Sequence, residues 1–131
     1  MQAKGEFDVT RTPQGELEIG GGLRIGHMRF DKRFHGPLSA TSVVHMLAAM
    51  APVPGSGAYV AIERIEGTLD GRQGSFLTQH SGVMERGTPS LQLTVVPDTG
   101  TGDLAGLRGR IAIDIVDGKH FYTFDYTLDE G

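Results

Sequence analysis

The chain contains no cysteine. That excludes disulfides, thiolate catalysis and cysteine-based zinc sites, and it suits a reducing compartment, so a cytoplasmic location is expected. A stripe of Lys and Arg is also missing, and the net charge of −4 opposes a nucleic-acid or anionic-membrane partner. The longest apolar run, Val43 to Val53, is broken by His45 and Pro52. It falls short of the ~20 residues a membrane-crossing helix needs. Met1 to Val9 is charged and alternating, with no apolar core of a signal peptide. No nucleophile elbow or phosphate-loop signature is present. Gly100-x-Gly102-x-x-x-Gly106 has the wrong spacing for a dinucleotide fingerprint and leads into a strand pattern, so it offers no helix N-terminus to a pyrophosphate.

What is present points to one soluble globular domain over residues 1–131, with 21% charged and 38% hydrophobic residues. Glycine is the outlier at 20 residues, without a collagen-like period, and is read as turns, bulges and curved strands. Alternating apolar and polar runs predict strands over Gly5–Thr10, Gly15–Ile19, Leu23–Phe34, Leu38–Met50, Ala58–Leu69, Gly74–Glu85, Ser90–Val96, Leu107–Val116 and Lys119–Leu128. Leu47 to Met50 are good helix formers, but Val43 and Val44 favour a strand there. The pattern predicts an all-β fold, a small antiparallel barrel of about eight strands.

Two Asp-Gly pairs, Asp70-Gly71 and Asp117-Gly118, each separate two such runs and predict two-residue hairpin turns. A two-residue turn fixes register. Leu69 then faces Arg72, and Tyr59, Ala61, Glu63, Ile65 and Gly67 share a face with Phe76, Thr78, His80, Gly82 and Met84. That face carries the larger apolar groups and is placed inside; Val60, Ile62, Leu77 and Val83 are placed outside. In the second hairpin Ile111, Ile113 and Ile115 form an inner wall with His120, Tyr122, Phe124 and Tyr126. Arg110 stands across from Asp125 as an outer pair. A two-residue turn at His35-Gly36-Pro37 would put Met28, Phe30, Lys32 and Phe34 on one face with Ser39, Thr41, Val43 and His45. Arg24, Arg29, Lys32 and Arg33 are read together as solvated charge on an edge strand.

The candidate chemistry follows from these faces. Glu63 beside His80 makes an acid–base pair in which the carboxylate orients the ring; the plainer role is a structural hydrogen bond that fixes register. His45 among apolar groups is a second candidate base, or else a satisfied core histidine. Tyr59, Tyr122 and Tyr126 are phenol donors for developing oxyanion charge, or packed aromatics. Phe30, Phe76 and Thr78 complete the expected ligand lining. His45, Glu63, His80 and His120 contain metal-ligand types, but no local ligand spacing supports a site, so no metal is expected.

Tyr59-Val-Ala-Ile-Glu-Arg64, Gly74-Ser-Phe-Leu-Thr-Gln-His-Ser-Gly82, Val95 to Leu107 and Asp117-Gly-Lys-His120 resemble an uncharacterised bacterial family, the domain of unknown function numbered 3224. The resemblance runs from about Phe7 to Leu128. It implies an allene-oxide-cyclase-like β-barrel with a central cavity, often self-associated, and no established activity. The chain departs from the family pattern at Val44-His45-Met46-Leu47, where a small residue followed by an acidic one is implied. Drift and a reshaped pocket, natural or engineered, both account for an imidazole there.

Together these readings predict a barrel that binds a hydrophobic small molecule and supports cofactor-independent isomerisation, cyclisation or proton transfer. His80 or His45 serves as base and Glu63 orients His80. The alternative is a non-catalytic carrier, or a structural barrel that assembles into a homodimer or homotrimer through its outer face.

Overall fold

A computed structural model describes residues 1–128 and contains eight strands: β1 (Gln2–Gly20), β2 (Leu23–Phe34), β3 (Leu38–Met50), β4 (Gly57–Leu69), β5 (Arg72–Glu85), β6 (Thr88–Val95), β7 (Leu107–Val116) and β8 (Lys119–Leu128). Each strand pairs antiparallel with the next, and β1 closes on β8 to complete a barrel. Closure gives every strand a partner on both sides, although β6 and β7 share a single ladder pair. Among the described residues no helix is long and apolar enough to cross a membrane.

The turns follow the residues that demand them. Asp70 and Gly71 have φ of 49° and 83°, and Asp117 and Gly118 have 52° and 77°. Positive φ at both central positions matches the right-handed twist of the flanking strands, and Gly carries it without a Cβ clash. The registers come out as the two-residue turns require, with Leu69 opposite Arg72 and Val116 opposite Lys119. Arg110 does stand opposite Asp125, but the Asp125 carboxylate accepts its hydrogen bond from Gln2 at 2.9 Å.

Four expectations are corrected. The two short strands predicted at the start are one strand, β1; Pro13 and Gly15 mark a register shift within it, not a turn. A proline cannot donate to the ladder, and the bulge absorbs it. The connection at His35-Gly36-Pro37 is not a two-residue turn. Phe34 pairs with Ala40, so an odd number of residues lies between them and the parity of β3 is reversed. Ser42 and Val44 therefore point inward, and His45 points out. Ile115 does not complete an inner wall, because it lies past the rim and is 66% exposed. Lys32 is not a solvated edge charge: the barrel has closed, and Lys32 is buried.

One end of the barrel is closed. Leu38, Leu69, Leu104, Leu107, Phe124 and Tyr126 are all buried there. The β6–β7 connection folds across this end through a short 3-10 turn, Gly102–Leu104. It is tied to β5 by the Thr101 N–H donating to the Ser75 carbonyl at 2.8 Å and by the Leu77 N–H donating to the Thr99 hydroxyl at 3.0 Å. Burying the Leu104 side chain contributes roughly 1.5–3 kcal/mol. The Tyr122 hydroxyl donates to the His35 carbonyl at 2.7 Å and accepts from the Leu38 N–H at 3.1 Å, which pins the β2–β3 connection. Gly5 is required beneath it: a Cβ there would stand 2.6 Å from the Tyr122 oxygen and 2.2 Å from the His35 carbonyl oxygen.

The other end is open. β6 and β7 share one ladder pair, Thr94 with Arg110, so they splay apart toward this end. The β1–β2 hairpin overhangs it, with every residue from Arg11 to Arg24 exposed.

Candidate functional site

Four neighbouring strands converge inside the barrel. Lys32 on β2 pairs with Ser42 on β3, and Glu63 on β4 pairs with Thr78 on β5. His80 is the next inward residue along β5. All five side chains are buried; Glu63 is 1% exposed and Thr78 is 0% exposed.

Glu63 is the hub. Its Oε2 accepts from the Ser42 hydroxyl at 2.5 Å and faces Lys32 Nζ at 3.4 Å. Its Oε1 accepts from the Thr78 hydroxyl at 3.1 Å and meets His80 Nε2 at 2.7 Å. A buried carboxylate costs several kcal/mol unless its lone pairs are met, and here each oxygen has two partners. Burial alone pushes the Glu63 carboxyl pKa up. The hydrogen bond from His80, the charges of Lys32 and His80 and the hydrogen bond from Ser42 together outweigh that, and hold it down at about 2. Lys32 is stabilised from its other side, with Nζ 5.1 Å from the Phe7 ring centroid and 5.9 Å from that of Phe34.

An ionised carboxylate only accepts hydrogen bonds, so His80 Nε2 carries the proton that points at Glu63. The same N–H lies 3.2 Å from the Thr78 oxygen. Nδ1 of His80 makes no hydrogen bond, yet no buried polar side-chain atom among the described residues lacks a partner. It follows that Nδ1 is not sealed off. Where Nε2 alone carries a proton, Nδ1 presents a lone pair.

Above this cluster, toward the open end, Ala61 faces His80 and then Tyr59 faces Gly82. Two residues along a strand is about 7 Å. The Tyr59 ring rests against Gly82, where a Cβ would stand 2.1 Å from its Cε1. Burial raises the Tyr59 pKa, which keeps the phenol protonated as a donor. A cavity of about 250 Å³ opens here, lined by Ala48, Met50, Tyr59, Gly82, Met84 and Leu91 among others. A second, of about 400 Å³, occupies the β6–β7 seam between Leu91, Leu93, Ile111 and Ile113. Leu91 belongs to both, and Leu93 is the ladder partner of His80.

The residues expected from the sequence thus divide into four groups. Glu63, Thr78 and His80 come together, and Tyr59 stands above them. Phe30 faces inward opposite Val44, half-buried toward the open end. Phe76, Tyr122 and Tyr126 fill the closed end instead: Phe76 packs on Phe124 at 5.7 Å, and the Tyr126 hydroxyl is bonded to the Asp70 carboxylate. Burial and that carboxylate raise the Tyr126 pKa to about 12. His45 lies outside the barrel, exposed, with its Nδ1 2.9 Å from Nε2 of His27. Sequence reasoning missed Lys32 and Ser42 as members of the cluster. The signal for Lys32 was its place in the alternation Met28-x-Phe30-x-Lys32-x-Phe34, which sets it on an apolar face; Ser42 was hidden by the reversed parity of β3. Among the described residues no group of three or more His, Asp or Glu side chains is placed to hold a metal ion.

The fold and cluster define a class: a closed, eight-stranded antiparallel barrel with a buried Lys–Glu–His cluster and an open apolar end. Residues 3–126 match the model of the protein family of unknown function DUF3224, and the chain belongs to that family. A crystal structure of a DUF3224 protein of unknown function from Shewanella oneidensis MR-1 is similar to it at 47% identity and a TM-score of 0.92, over 98% of each chain. No curated protein matches.

Proposed function

We propose that the protein binds a small, mostly apolar molecule at the open end of its barrel and moves a proton on it without a cofactor. His80 Nδ1 is the base, Glu63 holds the ring in the matching tautomer, and Tyr59 donates to oxygen charge that develops on the ligand. The observation that carries this reading is the asymmetry of His80: one ring nitrogen is engaged by an ionised carboxylate and the other is unengaged, one inward position along β5 from the cavity-lining Gly82. Lys32 offsets the carboxylate charge, so the cluster is compatible with an apolar ligand. Isomerisation or cyclisation of a carbonyl compound through its enolate fits, because that route begins with removal of a proton beside the carbonyl.

The test uses polycyclic ketones and hydrophobic carboxylates titrated into 15N-labelled protein. Binders are expected to shift the His80 ring and Tyr59 resonances, and a bound ketone is expected to take up deuterium beside its carbonyl in D2O. His80→Gln should abolish that exchange while unfolding remains cooperative. Exchange at the wild-type rate in His80→Gln would overturn the reading.

A second reading, assembly of copies through the outer face, is favoured by the exposure of Val60, Ile62 and Val83, at 54%, 51% and 57%. Leu77 on the same face is half-buried within the chain. A homodimer or homotrimer in size-exclusion chromatography, lost on Ile62→Lys, is the outcome this reading requires.

A further inference from the structure

The displaced histidine has a partner that the lumen chemistry does not use. β2 and β3 pair so that His27 faces Leu47 and Arg29 faces His45, which makes the two histidines diagonal neighbours on the outer face. Diagonal side chains on a sheet are within reach of each other when they are long. Here the rings are tilted with centroids 5.1 Å apart, and His27 Nε2 lies 2.9 Å from His45 Nδ1. His45 is exposed and His27 half-buried, so solvent reaches the pair.

From this geometry we infer that His27 and His45 form a two-imidazole chelate for a divalent transition-metal ion of tetragonal preference, such as Cu2+ or Ni2+. Two metal–nitrogen bonds of about 2.0–2.1 Å at a right angle place the nitrogens about 2.9 Å apart. That is the spacing found. The two strands hold it, since both residues sit in paired register within a closed barrel. The hydrogen-bonded pair now shares one proton between two nitrogens. With that proton moved to the far nitrogen of its own ring, both facing nitrogens carry lone pairs. A small turn of the two rings then aims both lone pairs at a metal to one side of the line between the nitrogens, and no proton is released.

The rest of the coordination sphere is open. Asp31, two residues beyond Arg29, is held in a two-pronged pair by Arg29, with contacts of 3.1 and 3.0 Å. Its carboxylate is occupied, and water fills the other positions on the ion. Imidazole suits Cu2+, Ni2+ and Zn2+, and at a given nitrogen site Cu2+ binds most tightly. The site is independent of the lumen reading, because it lies on the opposite face of the sheet from His80.

The experiment is a titration of the tag-free full chain with CuCl2, followed by calorimetry and by electron paramagnetic resonance. The wild type is expected to take up Cu2+ with nitrogen hyperfine structure from two imidazoles. His27→Gln and His45→Gln should each weaken binding by about tenfold or more and leave one nitrogen of the pair. His35→Gln and His120→Gln, elsewhere on the barrel, should leave affinity unchanged. Circular dichroism confirms that all four variants fold. Equal affinity in the wild type and both pair variants, or a signal with fewer than two nitrogens in the wild type, would overturn the proposal.

Discussion

The two ends of the barrel are made by the same strands with the same alternation, yet they differ in what that alternation achieves. At the closed end Leu38, Leu69, Leu107 and Phe124 are 1% exposed or less. At the open end the inward parity positions Met50, Met84, Leu91 and Ile115 are 59%, 37%, 41% and 66% exposed. The difference comes from what crosses each end. The Val96–Gly106 connection folds Leu104 over one, and two tyrosine hydroxyls tie its turns together. Over the other, β6 and β7 have parted, and the overhanging β1–β2 hairpin exposes its own residues to solvent. Inward direction is a property of the strand; burial requires something on the other side. The Lys32–Glu63–His80 cluster sits between the two regimes, buried like the closed end and adjacent to the space at the open one.

This contrast can be broken by mutation. Phe124→Ala empties a site with no exposure and aromatic neighbours at 5.3 and 5.7 Å, and should cost about 3–5 kcal/mol in urea unfolding. Ile115→Ala at the open rim should stay within about 0.5 kcal/mol. Comparable losses at the two positions would mean that the open end is packed in solution and the contrast is wrong.

Acid sharpens it at the boundary. The Glu63 pKa lies below its ordinary value of 4.5, at about 2, so the native state holds the ionised form more strongly than the unfolded chain does. Its contribution is complete above about pH 4.5 and is lost as pH falls toward about 2. The amount is on the order of 3 kcal/mol. Denaturation of the wild type across that window should show the loss, and Glu63→Gln should show a flatter profile. A wild-type profile as flat as the variant's would place Glu63 outside any charged network.

The sequence made the hairpins legible because turn chemistry is local. Asp70-Gly71 and Asp117-Gly118 demanded positive φ at two successive residues, and register followed from that alone. It was this register that put Glu63, Thr78 and His80 on one face. The same logic failed at His35-Gly36-Pro37, because the number of turn residues there is set by contacts from elsewhere: the Tyr122 hydroxyl and the Glu6 carbonyl, which accepts from the His35 N–H at 2.9 Å. Both come from β8 and β1, distant in the chain. One residue of miscounting moved His45 from lumen to surface and concealed Ser42. Lys32 was misread for a related reason. Its charge suggested solvent, but on the inward face it lies two strands from Glu63, whose carboxylate stands 3.4 Å away and offsets its burial.

The most direct test of the central claim is the tautomer of His80, read from the 15N shifts and two-bond couplings of its ring near neutral pH. The account predicts a proton on Nε2 toward Glu63 and a lone pair on Nδ1. A proton on Nδ1, whether alone or together with one on Nε2, would contradict it.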